Sequence, residues 1–171
     1  MSYAGSEETF NEIQKDYAKI LMLANKAYDM VIVDLDQNLN IQTQLEILNA
    51  SDVVIATTTQ KLSNIEKLAE QIENNDFLKR DNTLIAIGKY DSNSKYNAKN
   101  ISRNLLRKKE IINTIPYSSL LLEAAQEGKV IDIFIDLLSS KTKDENYFLI
   151  EELKRLEEII ENKIIDLQMK K

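Results

Sequence analysis

Two acids, Asp34 and Asp36, close an apolar run, Met30-Val31-Ile32-Val33, that follows a long amphipathic segment. A carboxylate at the C-terminal end of a buried strand is placed to hold magnesium through water, where the ion can meet the phosphates of a nucleotide. Asp34 suits that role. Asp36 is a second candidate that serves equally well as a solvated acid. Such a site also needs backbone amides and a lysine around the phosphates. The three glycines, Gly5, Gly88 and Gly128, precede Ser6, Lys89-Tyr90 and Lys129-Val130, so no Gly-x-x-x-x-Gly-Lys-[Ser/Thr] loop exists in the chain. Other chemistry has less to work with. The absence of cysteine and histidine removes thiolate nucleophiles, thiolate zinc sites and the commonest general base. Ser118-Ser119 and Thr57 to Thr59 lack a base that would activate a hydroxyl. Asp34 and Asp36 as a glycosidase pair have no supporting pocket signal.

The elements that must position these residues follow from composition and period. A chain of 171 residues is long enough for one domain with a real core. Three glycines and one proline imply long regular elements with few tight turns. The net charge of −6 means that the molecule as a whole is not built for nucleic acid or anionic lipid. The N-terminus has no basic-then-apolar leader pattern and no apolar run reaches membrane-spanning length. The expectation is a cytoplasmic protein with no membrane insertion.

Residues 6–27 read as a helix. Ser6 is its N-cap, and Phe10, Ile13, Tyr17, Ile20, Leu21, Ala24 and Tyr28 recur at three and four residues. Residues 30–35, short and β-branched, read as a buried strand. Helices are expected at 40–49, 62–74, 98–109, 118–127 and 130–138, and from 143 to the end. Gly128 is a natural terminator of the fourth of these. Further strands are expected at 52–56, 83–87 and 111–115. Nearly continuous apolar strands alternating with helices predict an α/β fold: a mostly parallel sheet of about four strands, helices on both faces, and a long C-terminal helix. The expected division is an α/β domain at 1–138 and an amphipathic helix at 139–171. Ligands of such sheets bind outside the carboxyl ends of the strands. Asp34, Thr57 to Thr59, Gly88 to Asp91 and Pro116-Tyr117 fall there.

Three segments carry a resemblance. Tyr28-Asp29-Met30-Val31-Ile32-Val33-Asp34 resembles the Walker B strand of MinD/ParA-type ATPases. Ala50-Ser51-Asp52-Val53-Val54-Ile55-Ala56-Thr57-Thr58 is similar to the family's next strand, with Leu62-Ser63 opening the following helix. Ile115-Pro116-Tyr117, then Glu123-Ala124-Ala125 and Gly128-Lys129, resemble its late segment. The flavour is closest to the CpaE-like branch associated with pilus, secretion or conjugation systems. The resemblance implies a P-loop-type fold and a dimerising ATPase that positions cellular machinery. Asp34 would hold magnesium through water, and Gly88 and Pro116 would contact the nucleotide base. The chain departs from the pattern at Leu35-Asp36-Gln37-Asn38, where the family has Thr-Pro-Pro-Gly, and it lacks the phosphate loop with its strand and helix. In the family that strand lies between the Asp34-type and Asp52-type strands. Three explanations stand: a C-terminal part of a longer ATPase, a degenerate relative whose two strands pair directly, or a partner that supplies the strand. The first two are favoured. ATP and magnesium are expected only if the phosphate loop is supplied, and the chain alone is not expected to hydrolyse ATP. The alternative is a non-catalytic pseudo-ATPase acting by protein interaction.

Gly88-Lys89-Tyr90-Asp91 also reads as a guanine-recognition motif with Gly in the first place; the competing reading is a turn in which Gly88 supplies an unusual φ. Lys95, Lys99, Arg103 and Arg107, spaced by four, form one basic ridge if helical. That ridge is a patch for nucleic acid or an acidic partner, or else a solvated face. The last helix carries Leu149, Leu153, Leu156, Ile160, Ile164 and Leu167 as a seam, with Glu151, Glu152, Glu157, Glu158 and Glu161 on its polar side. That acidity argues for packing on the sheet or on another helix, including a homodimer partner, and against a membrane surface.

Overall fold

A computed structural model describes residues 7–35, 41–139 and 145–169. The chain forms two compact units, 1–51 and 52–171. In the first unit, α1 (Glu7–Ala27) packs on α2 (Ile41–Ala50). Ser6, the expected cap, lies outside the described residues.

The second unit holds a sheet of β1 (Val54–Thr59), β2 (Thr83–Tyr90) and β3 (Ile112–Pro116) in that order, parallel throughout. Between them run α3 (Leu62–Asn74) and α4 (Ala98–Asn104). After β3 come α5 (Ser119–Glu127), α6 (Val130–Ser139) and α7 (Glu145–Gln168). Five successive residues of β2, Thr83 to Ile87, are buried. Successive strand side chains point to opposite faces, so helices must cover both. Ile65, Leu68 and Ile72 of α3, Ile101 of α4 and Leu149 and Ile150 of α7 complete the core. α7 packs against β3, as its acidic polar side predicts. Among the described residues no helix is long and apolar enough to cross a membrane.

The expected fold class is present, but the sheet has three strands among the described residues, not four. Residues 30–35 form no strand. Ile32 is 86% exposed, and Met30 and Val31 are exposed beside it. Their composition is that of a strand, yet a strand exists only where a neighbour takes its backbone hydrogen bonds. Asp36 lies outside the described residues. The helix expected at 98–109 also stops early, at Asn104. Leu106 takes a left-handed φ of 51°, and a single 3₁₀ turn, Lys109–Ile111, leads into β3.

α5 ends at Gly128 as expected, and Ser118 caps its first turn. Ser118 Oγ accepts from Leu121 N–H at 3.2 Å and donates to Asn146 Oδ1. Gly128 closes the helix at φ 70°, with open space where a Cβ would stand. Ser118→Ala and Gly128→Ala should each destabilise by about 1 kcal/mol, read from urea unfolding midpoints, one through a lost cap and the other through backbone strain alone.

Candidate functional site

The parallel order brings Thr59, Tyr90 and Pro116 to the same end of the second unit's sheet. β2 is irregular there. Its pairing with β3 shifts between Ile87 and Tyr90, and Tyr90 then pairs with Pro116. The unusual backbone belongs to Lys89, at φ 53°, and not to Gly88 as expected. A Cβ at Gly88 would meet the Thr58 carbonyl at 3.8 Å, an ordinary contact, so neither backbone nor space demands glycine. The bulge instead re-aims the strand end, putting exposed Lys89 between Gly88 and Tyr90.

Side chains hold the loops at this end. Gln60 donates through Nε2 to the carbonyls of Asp91 and Tyr96, both at 3.0 Å, and accepts from Asp91 N–H through Oε1 at 2.7 Å. One amide thus pins the β2–α4 loop to the end of β1. Asp91 Oδ1 turns the loop by accepting from Asn93 N–H at 2.9 Å. Tyr90 OH accepts from Ala98 N–H at 3.1 Å, and Asn97 caps α4 by accepting from Asn100 N–H. Thr59 Oγ1 accepts from Asn64 Nδ2 at 2.8 Å at the entry to α3. Gln60 acts across 31 and 36 residues, and no local pattern marks it.

The structure therefore brings Gly88 and Pro116 to neighbouring strand ends. Asp34 belongs to the first unit and is exposed at the end of the unpaired segment. Among the described residues no three His, Cys, Asp or Glu side chains group closely enough to hold a metal ion. Asp34 is thus, within its own unit, an exposed carboxylate outside any such group.

The basic residues do not form one ridge. Lys99 and Arg103 lie exposed on α4, and Lys95 precedes it with its ammonium 5.1 Å from the Tyr96 ring centroid. Arg107 lies beyond the helix and turns inward. Its Nη1 donates to the Lys79 carbonyl at 3.1 Å, and its Nη2 donates to those of Leu78 and Arg80 at 3.0 and 3.3 Å. It is a brace across two loops, and of the four residues spaced by four only Lys95, Lys99 and Arg103 stand exposed.

A cleft of about 340 Å³ opens beside β3, with Tyr90, Thr114, Glu152 and Arg155 in its wall. Its polar groups answer one another. Thr114 Oγ1 donates to Glu152 at 3.1 Å, and Arg155 pairs with Glu152 at 3.3 Å and donates to the Ile112 carbonyl.

The fold is similar to that of a ParA family ATPase from Chlorobium tepidum TLS, with a TM-score of 0.66 at 17% sequence identity. The match covers 89% of this chain but 62% of that ATPase, so the chain spans about three fifths of its solved relative. No family model and no curated protein sequence matches the chain.

Proposed function

We propose that this chain is the C-terminal portion of a MinD/ParA/CpaE-like nucleotide-binding ATPase, of the kind that positions or assembles pilus, secretion or conjugation machinery, and that by itself it does not hydrolyse ATP. The observation that carries this reading is the ParA-like fold across 89% of the chain. Two features support it. The parallel sheet presents Gly88 and Pro116 at adjacent strand ends, where the resemblance expects the base. Gln60 and Tyr90 hold the flanking loop in one conformation, which a base-side wall requires. The proposed incompetence rests on the donor set, because Asp34 stands exposed without a phosphate cradle.

Calorimetric titration with ATP and magnesium is the test. The expected result is no tight, magnesium-dependent binding by the 171-residue chain and no turnover. Tight binding that needs magnesium would contradict the proposed incompetence. A second reading, a pseudo-ATPase that works by protein interaction, is favoured by the loss of the family's residues after Asp34. A glycine-rich lysine loop encoded just upstream, in any frame, supports the first reading. Its absence supports the second.

A further inference from the structure

The cleft beside β3 is walled by elements of the second unit alone: the irregular end of β2, the start of α4, the 3₁₀ turn before β3, β3 itself and α7. Its volume of about 340 Å³ falls at the small end of the range of about 300–1,000 Å³ usual for ligand pockets. Neither Gly88 nor Pro116 lies in its wall, so a ligand here is independent of a nucleotide base at those strand ends.

What the cleft can hold follows from the hydrogen-bonding capacity that the protein leaves unused. Glu152 Oε2 takes both protein donors, Thr114 Oγ1 and Arg155 Nε. Glu152 Oε1 has no donor among the described residues, and the two bonds to its twin hold it in one orientation. Arg155 spends Nε on Glu152 and an Nη2 proton on the Ile112 carbonyl, and its other N–H groups have no acceptor there. Tyr90 OH accepts from Ala98 N–H, which leaves its own proton without a protein acceptor. Lys109 and Glu110 stand exposed on the same wall and pair with no described residue.

Open donors and open acceptors therefore interleave. The cations Lys109 and Arg155 are balanced by the anions Glu110 and Glu152, so the wall's charge favours neither an anion nor a cation. A carboxylate or phosphate would meet Glu152 Oε1 and Glu110; an amine would meet Arg155 and Lys109. Buried Ile112 and the Ala98 methyl set apolar surface between the polar groups. A hydroxyl both donates and accepts, and a ring that carries several on a C–H skeleton matches such a wall without bringing a charge to desolvate. We infer that this cleft binds an uncharged, polyhydroxylated ring of monosaccharide size, with Glu152 Oε1 accepting from its hydroxyls and Tyr90 and Arg155 donating to them.

The test is an amide NMR titration of the full chain with ribose, glucose, adenosine, acetate, inorganic phosphate and glycine. The expected result is saturable shifts at Tyr90, Thr114, Glu152 and Arg155 with both sugars, half complete at about 1–10 mM, as suits a ligand of about a dozen heavy atoms. Acetate, phosphate and glycine should leave the wall unmoved. Adenosine separates the two sources of such a ring: binding alongside ribose shows that hydroxyls are read whether free or on a nucleoside, and binding of adenosine alone shows that a base is read and overturns the inference. Glu152→Gln puts an amide donor among the acceptors and should weaken sugar binding at least about tenfold, whereas Lys99→Ala, outside the wall, should not change it. Arg155→Lys keeps the charge and loses the fork, and serves as the second variant if Glu152→Gln does not fold. No wall shifts with either sugar tenfold above that range, larger wall shifts with an anion or glycine, or undiminished sugar binding by the folded variant would overturn the inference.

Discussion

Leu84→Ala and Ile87→Ala are expected to destabilise the second unit by about 2–5 kcal/mol each. Both side chains are 0% exposed, and both lie on the middle strand of the sheet. Truncation removes apolar contact and leaves a cavity that a strand held on both edges cannot easily close. Set against a total stability of about 5–15 kcal/mol, usual for a domain, either change takes a large share. Urea unfolding of the variants beside the parent measures it. Ile131→Ala is the control: that side chain on α6 is 75% exposed and its loss should stay within about 0.5 kcal/mol. Equal effects at Leu84 and Ile131 would mean that β2 is not the centre of the core.

Arg107→Ala should cost about 2 kcal/mol, the worth of charge-assisted hydrogen bonds, whereas Lys99→Ala and Arg103→Ala should be nearly neutral. The guanidinium reaches three carbonyls, of Leu78, Lys79 and Arg80. Its Nε is buried without a partner, which offsets part of the gain. Arg107→Lys should recover little, because an ammonium cannot span the three acceptors that a planar fork reaches. Thermal unfolding of the four variants reads the contrast. Should Arg107→Lys match the parent, Arg107 acts as a general positive charge and the brace is wrong.

Where a local signal exists, the sequence was a sufficient guide. The three-and-four apolar spacing of α3 gave Leu62–Asn74 at both ends, and Ser118 and Gly128 bracket α5 as their cap chemistry requires. The failures share one cause. A strand is a property of a pair, and residues 30–35 have the composition of a strand without the neighbour. The four-residue spacing through Lys99, Arg103 and Arg107 suits a helix, but Arg107 gains more from three carbonyls than from another helical turn, and Leu106 turns the chain to allow it. At the candidate site, Gly88 and Pro116 were legible as strand ends because a parallel sheet gathers such ends. Gln60 was not legible, since its partners, Asp91 and Tyr96, lie more than thirty residues away.

The described residues form a ParA-like parallel sheet centred on β2, with an unpaired apolar segment at 30–35. Residue-resolved amide exchange of the free chain tests it most directly. Slow exchange is expected at Leu84, Ile85, Ala86 and Ile87 of β2, which bond to strands on either side. Rapid exchange is expected at Ile55, Thr57 and Thr59, whose amides point away from β2, and throughout 30–35. Protection of Ile55, Thr57 and Thr59 together with 30–35, equal to that of β2 in the monomer, would contradict it.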